Sequence, residues 1–467
     1  MANNIMVLII LILLLIPSMG WSATYYVSST TASTDWETAT NIGTPCTPAT
    51  AFANASGNDL VYFRGGSGGT YTANGTDYEH PAYYPRHSGT SWDTPLVFKA
   101  YPGETPIFSQ STGPVMGLYE GAGPVNYITF DGFKFVHTGT GPLGPMRLSG
   151  GNGTYSIGIR LLNCEFESTE NINNTDLAPQ LSMRGIYGYL IQNCYFHNHR
   201  ATDGDEANTT SIILYSCRPS TSPAIDAIIE KSTFAHVESG VNYKLNSSGG
   251  EVNSGLKLRY NIFYDIDRYA ININYNSEYG EFYQNLFFDT VIASENSSFT
   301  SPYHKVYNNT FIGGQTYGSA GNILGTSGTH ALTNLEWYNN IYYSKDNTYY
   351  PLYINTSSAL SYCDYNEYYR SEYTPSFTYQ GTTYNWANWT GTAGFDTHSI
   401  TTDPSFVNYT GDSTGNYKLQ VGSPAINTGR SGVSMGAYIT GNECIGYGCS
   451  TAVTTVTGCT LSGASLY

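Results

Sequence analysis

Two basic residues in the middle of the chain, Lys244 and Arg268, are separated by one period of the sequence repeat described below. A lysine with a lowered pKa can accept a proton from carbon, and an arginine can neutralise a carboxylate beside that carbon. We therefore predict that Lys244 serves as a base and Arg268 as a carboxylate clamp, if the fold places them side by side. The alternative is that their aliphatic stems pack along the surface of a sheet.

Two histidines, His197 and His199, occupy alternate positions in a β-rich segment. Alternate residues of a strand point to the same face, and imidazole is a common proton-transfer group. Both are therefore candidate catalytic residues. The alternative is that they make ordinary hydrogen bonds at the protein surface.

Three carboxylates, Asp203, Asp205 and Glu206, surround Gly204 just after these histidines. Hard oxygen ligands at short spacing suit Ca²⁺. We predict a calcium site here, which would help to neutralise an acidic substrate. The segment lacks the complete loop pattern of an EF-hand, so a solvated acidic turn is the alternative.

The charge of the chain limits the classes of partner. Lys and Arg number 19 against 35 Asp and Glu, and the net charge is −16. Nucleic acids and anionic membranes require a basic surface, so the charge argues against both. Eight of the 19 cations lie between Arg184 and Arg268, with a similar number of carboxylates. An anionic sugar chain would be tolerated in this window, and we predict that Arg200 contacts it.

The elements that must position these residues are indicated by a pattern that returns four times between Leu256 and Tyr342. The copies align on four asparagines: Asn261, Asn285, Asn309 and Asn340. An apolar residue stands three positions before each asparagine, and a charged residue stands four before it. These positions lie on opposite faces of a strand. The alternation slips at the asparagine, which indicates a corner with left-handed backbone.

The spacing of the copies predicts a solenoid. Phe263, Phe287 and Phe311 recur at a constant period of about 24 residues, and self-similarity at such a period is typical of repeat architectures. Because the repeats carry short β-rich runs and no helical period, we predict an all-β fold, a right-handed single-stranded parallel β-helix. Further copies of the apolar columns extend the stack to nine coils, about 4.8 Å apart, with an interior asparagine ladder.

Tyrosines form a column two positions before three of the aligned asparagines, at Tyr283, Tyr307 and Tyr338. Aromatic rings with polar tips suit stacking against sugar rings. Tyr283 and Tyr307 are therefore predicted substrate-binding residues. Cross-strand pairing that stabilises the sheet is the alternative.

The ends of the chain differ from its middle. Residues 1–22 are a predicted signal peptide, because the apolar run Ile5–Ile16 is too short to span a bilayer and small residues follow it. An uncleaved anchor is the alternative, since no Lys or Arg precedes the run.

Residues 23–430 are assigned to the β-helix with an N-terminal cap, and residues 431–467 to a Gly-, Thr- and Ser-rich tail. We expect an exported monomer, secreted, at the cell surface or periplasmic, with no later membrane span.

Export places the eight cysteines in an oxidising compartment. Cys444 and Cys449 enclose a short loop and are predicted to form a disulfide. Cys164 and Cys194 share one column on successive coils, where a disulfide and a stack of thiols both fit the spacing. No Cys/His spacing indicates zinc or haem.

Short motifs mark both ends of the predicted β-helix. The first set comprises Tyr25-Tyr-Val27, the Ala-rich segment 48–55, Gly57-x-Asp-x-Val-Tyr-Phe63 and Gly69-x-Tyr71; the second comprises Asp403-Pro-Ser-Phe-Val407, Tyr417-Lys-Leu419 and Gly422-Ser-Pro-Ala-Ile-Asn-Thr-Gly429. In this order they resemble secreted right-handed β-helix proteins of the pectate-lyase-like superfamily, over most of residues 24–430. The resemblance implies the fold but leaves the activity open, because that superfamily includes lyases, hydrolases, epimerases and proteins of no known activity.

Two classes of function follow. The first is an extracellular enzyme acting on a polysaccharide, as a Ca²⁺-assisted uronate lyase with the residues in the roles given above. A glycoside hydrolase would use two carboxylates such as Asp265 and Asp267, but its other motifs are missing. The second class is a non-catalytic surface or matrix protein that binds glycans along its coil faces.

Overall fold

The computed structural model describes residues 23–449 apart from positions 31, 67–68, 78–79, 142, 151–154, 173–177, 203–208, 216, 218–226, 245–252, 275–276, 295–299, 314, 318–319, 327–330, 345–348, 356–357 and 372–373. The predicted signal peptide therefore lies outside the described residues. The three predicted calcium ligands, Asp203, Asp205 and Glu206, lie outside them as well.

Three long sheets contain most of the described strands. Sheet 1 consists of Thr24–Val27, Leu60–Phe63, Leu96–Ala100, Ile128–Asp131, Ser156–Leu162, Ile186–Gln192, Ala227–Glu230, Leu256–Arg259, Glu281–Tyr283, Lys305–Tyr307, Leu335–Tyr338 and Leu360–Asp364. Sheet 2 consists of Thr70–Thr72, Ile107–Gln110, Lys134–His137, Glu165–Ser168, Tyr195–His199, Thr233–Val237, Ile262–Ile266, Leu286–Phe288, Thr310–Ile312, Ile341–Ser344 and Glu367–Arg370. Sheet 3 consists of Met116–Leu118, Met146–Ser149, Leu181–Arg184, Thr210–Tyr215, Ser239–Lys244, Ile271–Ile273, Ile292–Ser294, Gln315–Tyr317, Ala320–Thr326, Tyr349–Ile354, Ser376–Tyr379 and Thr382–Asn385.

Shorter elements lie at the corners and at the ends. The strands are Asn253–Ser254 with Ser277–Glu278, Thr300–Pro302 with Ala331–Thr333, and Phe406–Asn408 with Asn416–Leu419. The helices are Glu37–Thr40, Pro48–Asn54, Glu120–Ala122, Trp386–Asn388, Trp389–Ala393 and Arg430–Gly432. Phe52 of the helix Pro48–Asn54 packs on Phe98, with ring centroids 4.5 Å apart, so this helix lies against the first coils. None of the helices in the described part of the chain has the length and apolarity that crossing a membrane requires.

The chain passes from sheet 1 to sheet 2 to sheet 3 and then returns to sheet 1, which makes one coil. Neighbouring strands along the stack are parallel, and Phe263 pairs with Phe287 and Phe287 with Phe311. Their ring centroids are 5.1 and 4.6 Å apart. The predicted parallel β-helix is therefore confirmed. Among the described residues, sheet 1 has 12 strands where nine coils were expected, because its first three strands lack the aligned pattern.

The predicted asparagine ladder lies inside the corner between sheets 1 and 2. The side-chain amide of Asn261 donates to Oδ1 of Asn285 at 3.0 Å, and this contact is repeated from Asn285 to Asn309 and from Asn309 to Asn340. Asn340 donates in turn to Asn366 at 3.2 Å. All five side chains are buried, and each satisfies the next as a buried amide requires.

The residue before each ladder asparagine turns the corner. These residues have a positive φ: Tyr260 58°, Gln284 54°, Asn308 52°, Asn339 57° and Tyr365 57°. Tyrosine and glutamine rarely adopt this conformation. The buried amide that follows them therefore has to hold the chain in place.

Residues 400–449, which we call the C-terminal segment, run back along the outer face of sheet 2. Backbone N–H groups of Arg430, Ala437 and Gly448 donate to side chains that lie progressively earlier in the stack. The segment and the sheet share a second apolar core: Leu286, Phe288, Ile312, Ile341, Phe406, Tyr417, Ala425, Met435, Ala437 and Ile445. The described part of the predicted tail, residues 431–449, is thus packed against the β-helix. The predicted disulfide between Cys444 and Cys449 is present, whereas Cys164 and Cys194 are free thiols.

Candidate active site

Polar side chains line the edge of sheet 3 at which its strands end. Ser149 pairs with Arg184 in the parallel register, Arg184 with Tyr215, and Tyr215 with Lys244. Parallel strands repeat about every 4.8 Å. Four polar groups therefore follow one another along the axis of the stack.

Tyr119 extends this series by one position. It follows the strand Met116–Leu118, whose Leu118 pairs with Leu148, and its own backbone is extended. It therefore stands level with Ser149 on the neighbouring coil. We call the following five residues the edge row: Tyr119, Ser149, Arg184, Tyr215 and Lys244.

The alternation of each strand turns the edge row outward. Each member follows a buried residue of the inner core: Leu118, Leu148, Met183, Leu214 and Tyr243. Successive residues of a strand point to opposite faces. Ser149 is buried and the other four members are half-exposed, so the row is accessible from outside the β-helix.

Lys244 lies at the end of the edge row in a poorly solvated position. Burial lowers its pKa, because desolvation disfavours the ammonium form. Its Nζ lies 5.8 Å from the centroid of the Tyr215 ring, which is the next member of the row. An aromatic face at this distance attracts a cation. Burial therefore favours the neutral amine of Lys244, and the Tyr215 ring interacts favourably with the ammonium when it forms.

Arg184 occupies the middle of the edge row. Its Nη1 is 3.9 Å from Oε2 of Glu120, and the same oxygen accepts a hydrogen bond from the Ser149 hydroxyl at 3.0 Å. A guanidinium loosely held in this way can still bind a second carboxylate. Arg184 is therefore the cation of this edge best placed to meet an acidic substrate.

The prediction that Lys244 and Arg268 lie side by side on neighbouring coils is wrong. The register aligns Val241 with Ile271, and the backbone N–H of Arg268 donates to the carbonyl of Glu238. Arg268 is therefore level with Glu238, before the start of the strand that ends at Lys244 and at the opposite edge of sheet 3. This register makes the coil longer here than the repeat period that the prediction assumed. The guanidinium of Arg268 donates to the Tyr269 hydroxyl at 2.9 Å.

The two candidate histidines do not share a face, contrary to the prediction. Asn198 between them has a φ of 52°, which breaks the alternation of the strand. The His197 ring points outward, with Nε2 3.1 Å from Glu165. His199 is fully buried, with Nδ1 2.8 Å from the Ser168 hydroxyl and Nε2 2.5 Å from the Ala178 carbonyl. Burial lowers the pKa of His199 to about 3.

Arg200 lies at the corner between sheets 2 and 3, away from the edge row. It forms ion pairs with Asp265 at 2.7 Å and with Asp267 at 2.9 Å. Asp265 is also bonded to His236. The predicted role of Arg200 in substrate binding would require these carboxylates to release it, and its present role is to hold the corner.

One cluster of potential metal ligands lies among the described residues, namely Glu165, Glu167 and His197 on the outer face of sheet 2. Lys134 stands between the carboxylates, with Nζ 2.8 Å from Glu165 and 2.6 Å from Glu167. The ammonium already supplies the positive charge, and an imidazole is not a ligand that Ca²⁺ favours. These residues therefore do not fit Ca²⁺.

The predicted tyrosine column is stacked as expected on the outer face of sheet 1. The ring centroids of Tyr283 and Tyr307 are 4.9 Å apart, and those of Tyr307 and Tyr338 are 5.0 Å apart. Their hydroxyls are engaged, since Arg259 donates to Tyr283 and Tyr307 donates to Glu281. The contacts support the cross-strand pairing interpretation, and a role in binding sugars stays a prediction.

A second aromatic pair is far more exposed, and the sequence did not reveal it. Tyr279 and Tyr303 are 49% and 46% exposed, with ring centroids 4.9 Å apart and planes 8° apart. Both have positive φ, at the corner between sheets 3 and 1. Gly255 occupies the equivalent corner one coil earlier, since its N–H donates to the carbonyl before Tyr279. A Cβ added to Gly255 would meet no atom within 4 Å among the described residues, and glycine places no side chain against the Tyr279 ring.

Sequence spacing could not assemble the edge row, because its members do not follow a fixed period. Ser149, Arg184, Tyr215 and Lys244 are unevenly spaced along the chain, and each interval is shorter than the one before it. Loops of different length separate the strands, and only the register reveals that the residues are neighbours. The usable signal was the concentration of cations between Arg184 and Arg268, where eight of the 19 Lys and Arg residues lie.

Comparisons with known proteins found similarity in structure only. No protein-family model matches the chain, and no curated protein sequence matches it. Among solved structures, pectate lyase Pel9A is 14% identical with a TM-score of 0.47, covering 90% of this chain and 97% of that one. A rhamnogalacturonan lyase is 14% identical with a TM-score of 0.46, covering 86% and 97%. A mannuronic acid-specific family 6 polysaccharide lyase from human gut microbiota is 15% identical with a TM-score of 0.44, covering 71% and 76%.

Proposed function

We propose that the protein binds an acidic polysaccharide along the edge row and cleaves it by β-elimination. Lys244 accepts the proton beside the sugar carboxylate, as the sequence predicted. Arg184 takes the clamp role that the sequence gave to Arg268. The observation that carries the proposal is the half-buried Lys244, whose pKa is lowered by burial, in the same row as Arg184.

An extended sugar chain fits this row because its direction and spacing match. The edge row runs along the axis of the stack, with one side chain on each coil. The chain as a whole is strongly acidic, with a net charge of −16. A uronate polymer is therefore repelled from most of the surface and meets a positive charge at Arg184 in the edge row.

The elimination needs two functions that this row contains. Binding of the uronate carboxylate by Arg184 makes the hydrogen on the neighbouring carbon more acidic. The neutral amine of Lys244 removes that proton, the bond to the leaving sugar oxygen breaks, and a carbon–carbon double bond forms. The Tyr215 ring, 5.8 Å from Nζ, stabilises the ammonium that results.

The predicted Ca²⁺ site at Asp203, Asp205 and Glu206 stays a prediction, and we assign no step to it. If Ca²⁺ binds there, it would add a second positive charge for substrate carboxylates. The described residues Arg184 and Lys244 supply clamp and base without it.

The test is to incubate the purified protein with polygalacturonate and with alginate, and to follow the ultraviolet absorbance of the unsaturated product. We expect Lys244→Ala to lower the rate about 100-fold or more while oligosaccharide binding is retained. Lys257→Ala is the matched control, because Lys257 is a half-buried lysine on the outer face of sheet 1. Equal losses in the two variants would contradict the role of Lys244.

A second function is supported by the Tyr279–Tyr303 pair, which offers exposed aromatic faces. A non-catalytic glycan-binding protein would use this pair at the corner beside Gly255. Such a protein would bind polysaccharide without forming unsaturated product. Replacing Tyr279 and Tyr303 by alanine would then weaken binding, whereas Lys244→Ala would leave it unchanged.

A further inference from the structure

We infer that Tyr119 is a second proton-transfer residue on this face, activated by His80 and positioned through Asp77. The inference rests on the proposed function for its substrate, an acidic polysaccharide bound along the edge row. It assigns chemistry to three residues that no motif in the sequence singles out.

The three side chains form a chain of hydrogen bonds. Asp77 Oδ1 lies 2.6 Å from Nδ1 of His80 and also accepts from the His80 backbone N–H at 3.1 Å. On the other side of the ring, Nε2 lies 2.5 Å from the Tyr119 hydroxyl. The imidazole is therefore held at both nitrogens, between a carboxylate and a phenol.

The Asp77 carboxylate determines which nitrogen of the His80 ring carries the hydrogen. An ionised Asp77 can only accept, so Nδ1 of His80 must carry the hydrogen, and Nε2 is left with its lone pair. The Tyr119 hydroxyl then donates to Nε2. This arrangement lets His80 take the phenol proton while Asp77 stabilises the imidazolium, the same logic by which a histidine activates a hydroxyl nucleophile.

The neighbourhood keeps the phenol in place and near a cation. A Cβ on Gly121 would lie 2.4 Å from the Tyr119 hydroxyl oxygen, so the turn after Tyr119 closes around the phenol. Tyr84 packs edge-on against the Tyr119 ring, with centroids 5.2 Å apart. Arg184, two coils along the edge row, leans toward this end through its contact with Glu120. A substrate carboxylate held by Arg184 would thus lie on the Tyr119 side as well as on the Lys244 side.

The proposed step balances without any further reactant. The Tyr119 proton moves to Nε2 of His80, and the phenolate removes the proton from the carbon beside the uronate carboxylate. The carbon–oxygen bond to the leaving sugar breaks, and a carbon–carbon double bond forms. Tyr119 gives the captured proton to the leaving oxygen and regains its own from His80.

Tyr119 and Lys244 act in separate reactions, one on each side of Arg184, which holds the carboxylate of the reacting sugar in both. They are four strands apart in the edge row, which at about 4.8 Å per strand is about 19 Å. The face therefore contains two elimination centres that share the central Arg184. Loss of either one leaves the other able to react.

The experiment measures elimination in Lys244→Ala and then adds Tyr119→Phe or His80→Asn. We expect the Lys244→Ala variant to retain a residual rate that Tyr119→Phe lowers about 100-fold. His80→Asn should also lower the residual rate, because the Tyr119 hydroxyl then lacks the imidazole that takes its proton. The matched control is His398→Asn, because His398 is also bonded to an aspartate, Asp364, at 2.7 Å, far from the edge row.

A second measurement does not depend on turnover. Nitrogen NMR of labelled histidine should show a changed Nε2 chemical shift of His80 in Tyr119→Phe, since the ring nitrogen loses its donor. An unchanged Nε2 chemical shift, or a residual rate that Tyr119→Phe leaves intact, overturns the inference while the role of Lys244 stands. A wild-type protein that forms no unsaturated product from any uronate polymer overturns the proposed function and this inference together.

Discussion

Replacing Asn309 by alanine would show how much the asparagine ladder contributes to stability. Oδ1 of Asn309 accepts from the backbone N–H of Asn285 and from its side-chain amide, both at 3.0 Å. Its own amide donates to the Phe282 carbonyl at 2.9 Å and to Asn340 at 3.1 Å. Alanine removes all of these contacts from a site with no access to water.

The size of the effect follows from what is left without a partner. The side-chain amide of Asn285 keeps the Leu258 carbonyl as an acceptor at 2.8 Å, but its backbone N–H loses the acceptor it had. An orphaned buried donor costs roughly 1–3 kcal/mol, and each lost hydrogen bond roughly 0.5–1.5 kcal/mol. We expect Asn309→Ala to destabilise the protein by about 2–4 kcal/mol.

The chain itself offers a comparator in Ser232, which occupies the ladder position one coil before Asn261. The Ser232 hydroxyl accepts from the Cys194 backbone N–H at 3.1 Å and donates to the Glu230 carbonyl at 3.0 Å. A hydroxyl can therefore satisfy the neighbouring N–H. Asn309→Ser should cost about 1–2 kcal/mol less than Asn309→Ala, because the Asn285 N–H keeps an acceptor.

The assay is urea unfolding combined with hydrogen exchange of the Asn285 amide. The second measurement is needed because coils of a solenoid can open locally. Exchange at Asn285 should accelerate most in Asn309→Ala and less in Asn309→Ser. Equal destabilisation by the two variants would refute the reasoning, since the loss would then come from packing volume and not from the acceptor.

Three further predictions concern charge, metal and the C-terminal segment. Hydrogen bonds from His197 and Lys134 lower the pKa of Glu165 to about 2 from 4.5. The ionised Glu165 therefore stabilises the folded state above pH 4.5, and this stabilisation is lost as the pH falls toward 2. The free energy of unfolding in urea should fall by up to about 3 kcal/mol between pH 5 and pH 2.5, and by less in Glu165→Gln. If Asp203, Asp205 and Glu206 bind Ca²⁺, calorimetry should detect a site that the Asp203→Asn, Asp205→Asn, Glu206→Gln variant lacks, and a chelator should slow elimination only in the parent protein; binding unchanged in the variant would remove the prediction. Cys444→Ser should destabilise the docked segment by about 2 kcal/mol, seen as faster proteolysis after residue 430, and an unchanged digestion rate would show that apolar contacts alone hold it.

The repeated pattern predicted the fold well because it reports local alternation. Charged Lys257, Glu281 and Lys305 do stand in one register on the outer face of sheet 1, opposite the buried Leu258 and its equivalents. The ladder followed from the same columns. The alternation and the ladder position recur from coil to coil, so the sequence of a single repeat is enough to predict both.

The candidate site was harder to predict because it depends on loop lengths and on single backbone distortions. Arg268 was misplaced since the coil before it is longer than the repeat period. His199 was misplaced since Asn198 is left-handed. Nothing in a periodic pattern specifies either exception, and Asp77, His80 and Tyr119 meet across two coils that carry no repeat signal. The role of Lys244 as a base stays a prediction, and the register brings it into one row with Arg184 and not beside Arg268.

The path of the C-terminal segment affects how the protein is assembled. The last described part of the chain to be synthesised covers Leu286, Phe288 and Ile312, residues of coils made long before it. Until residues 400–449 are synthesised and packed, these coils expose an apolar surface to solvent. A chain interrupted near position 400 would contain every described strand of the three long sheets but leave these apolar side chains exposed, so we expect it to aggregate more readily than a chain that includes residues 400–449.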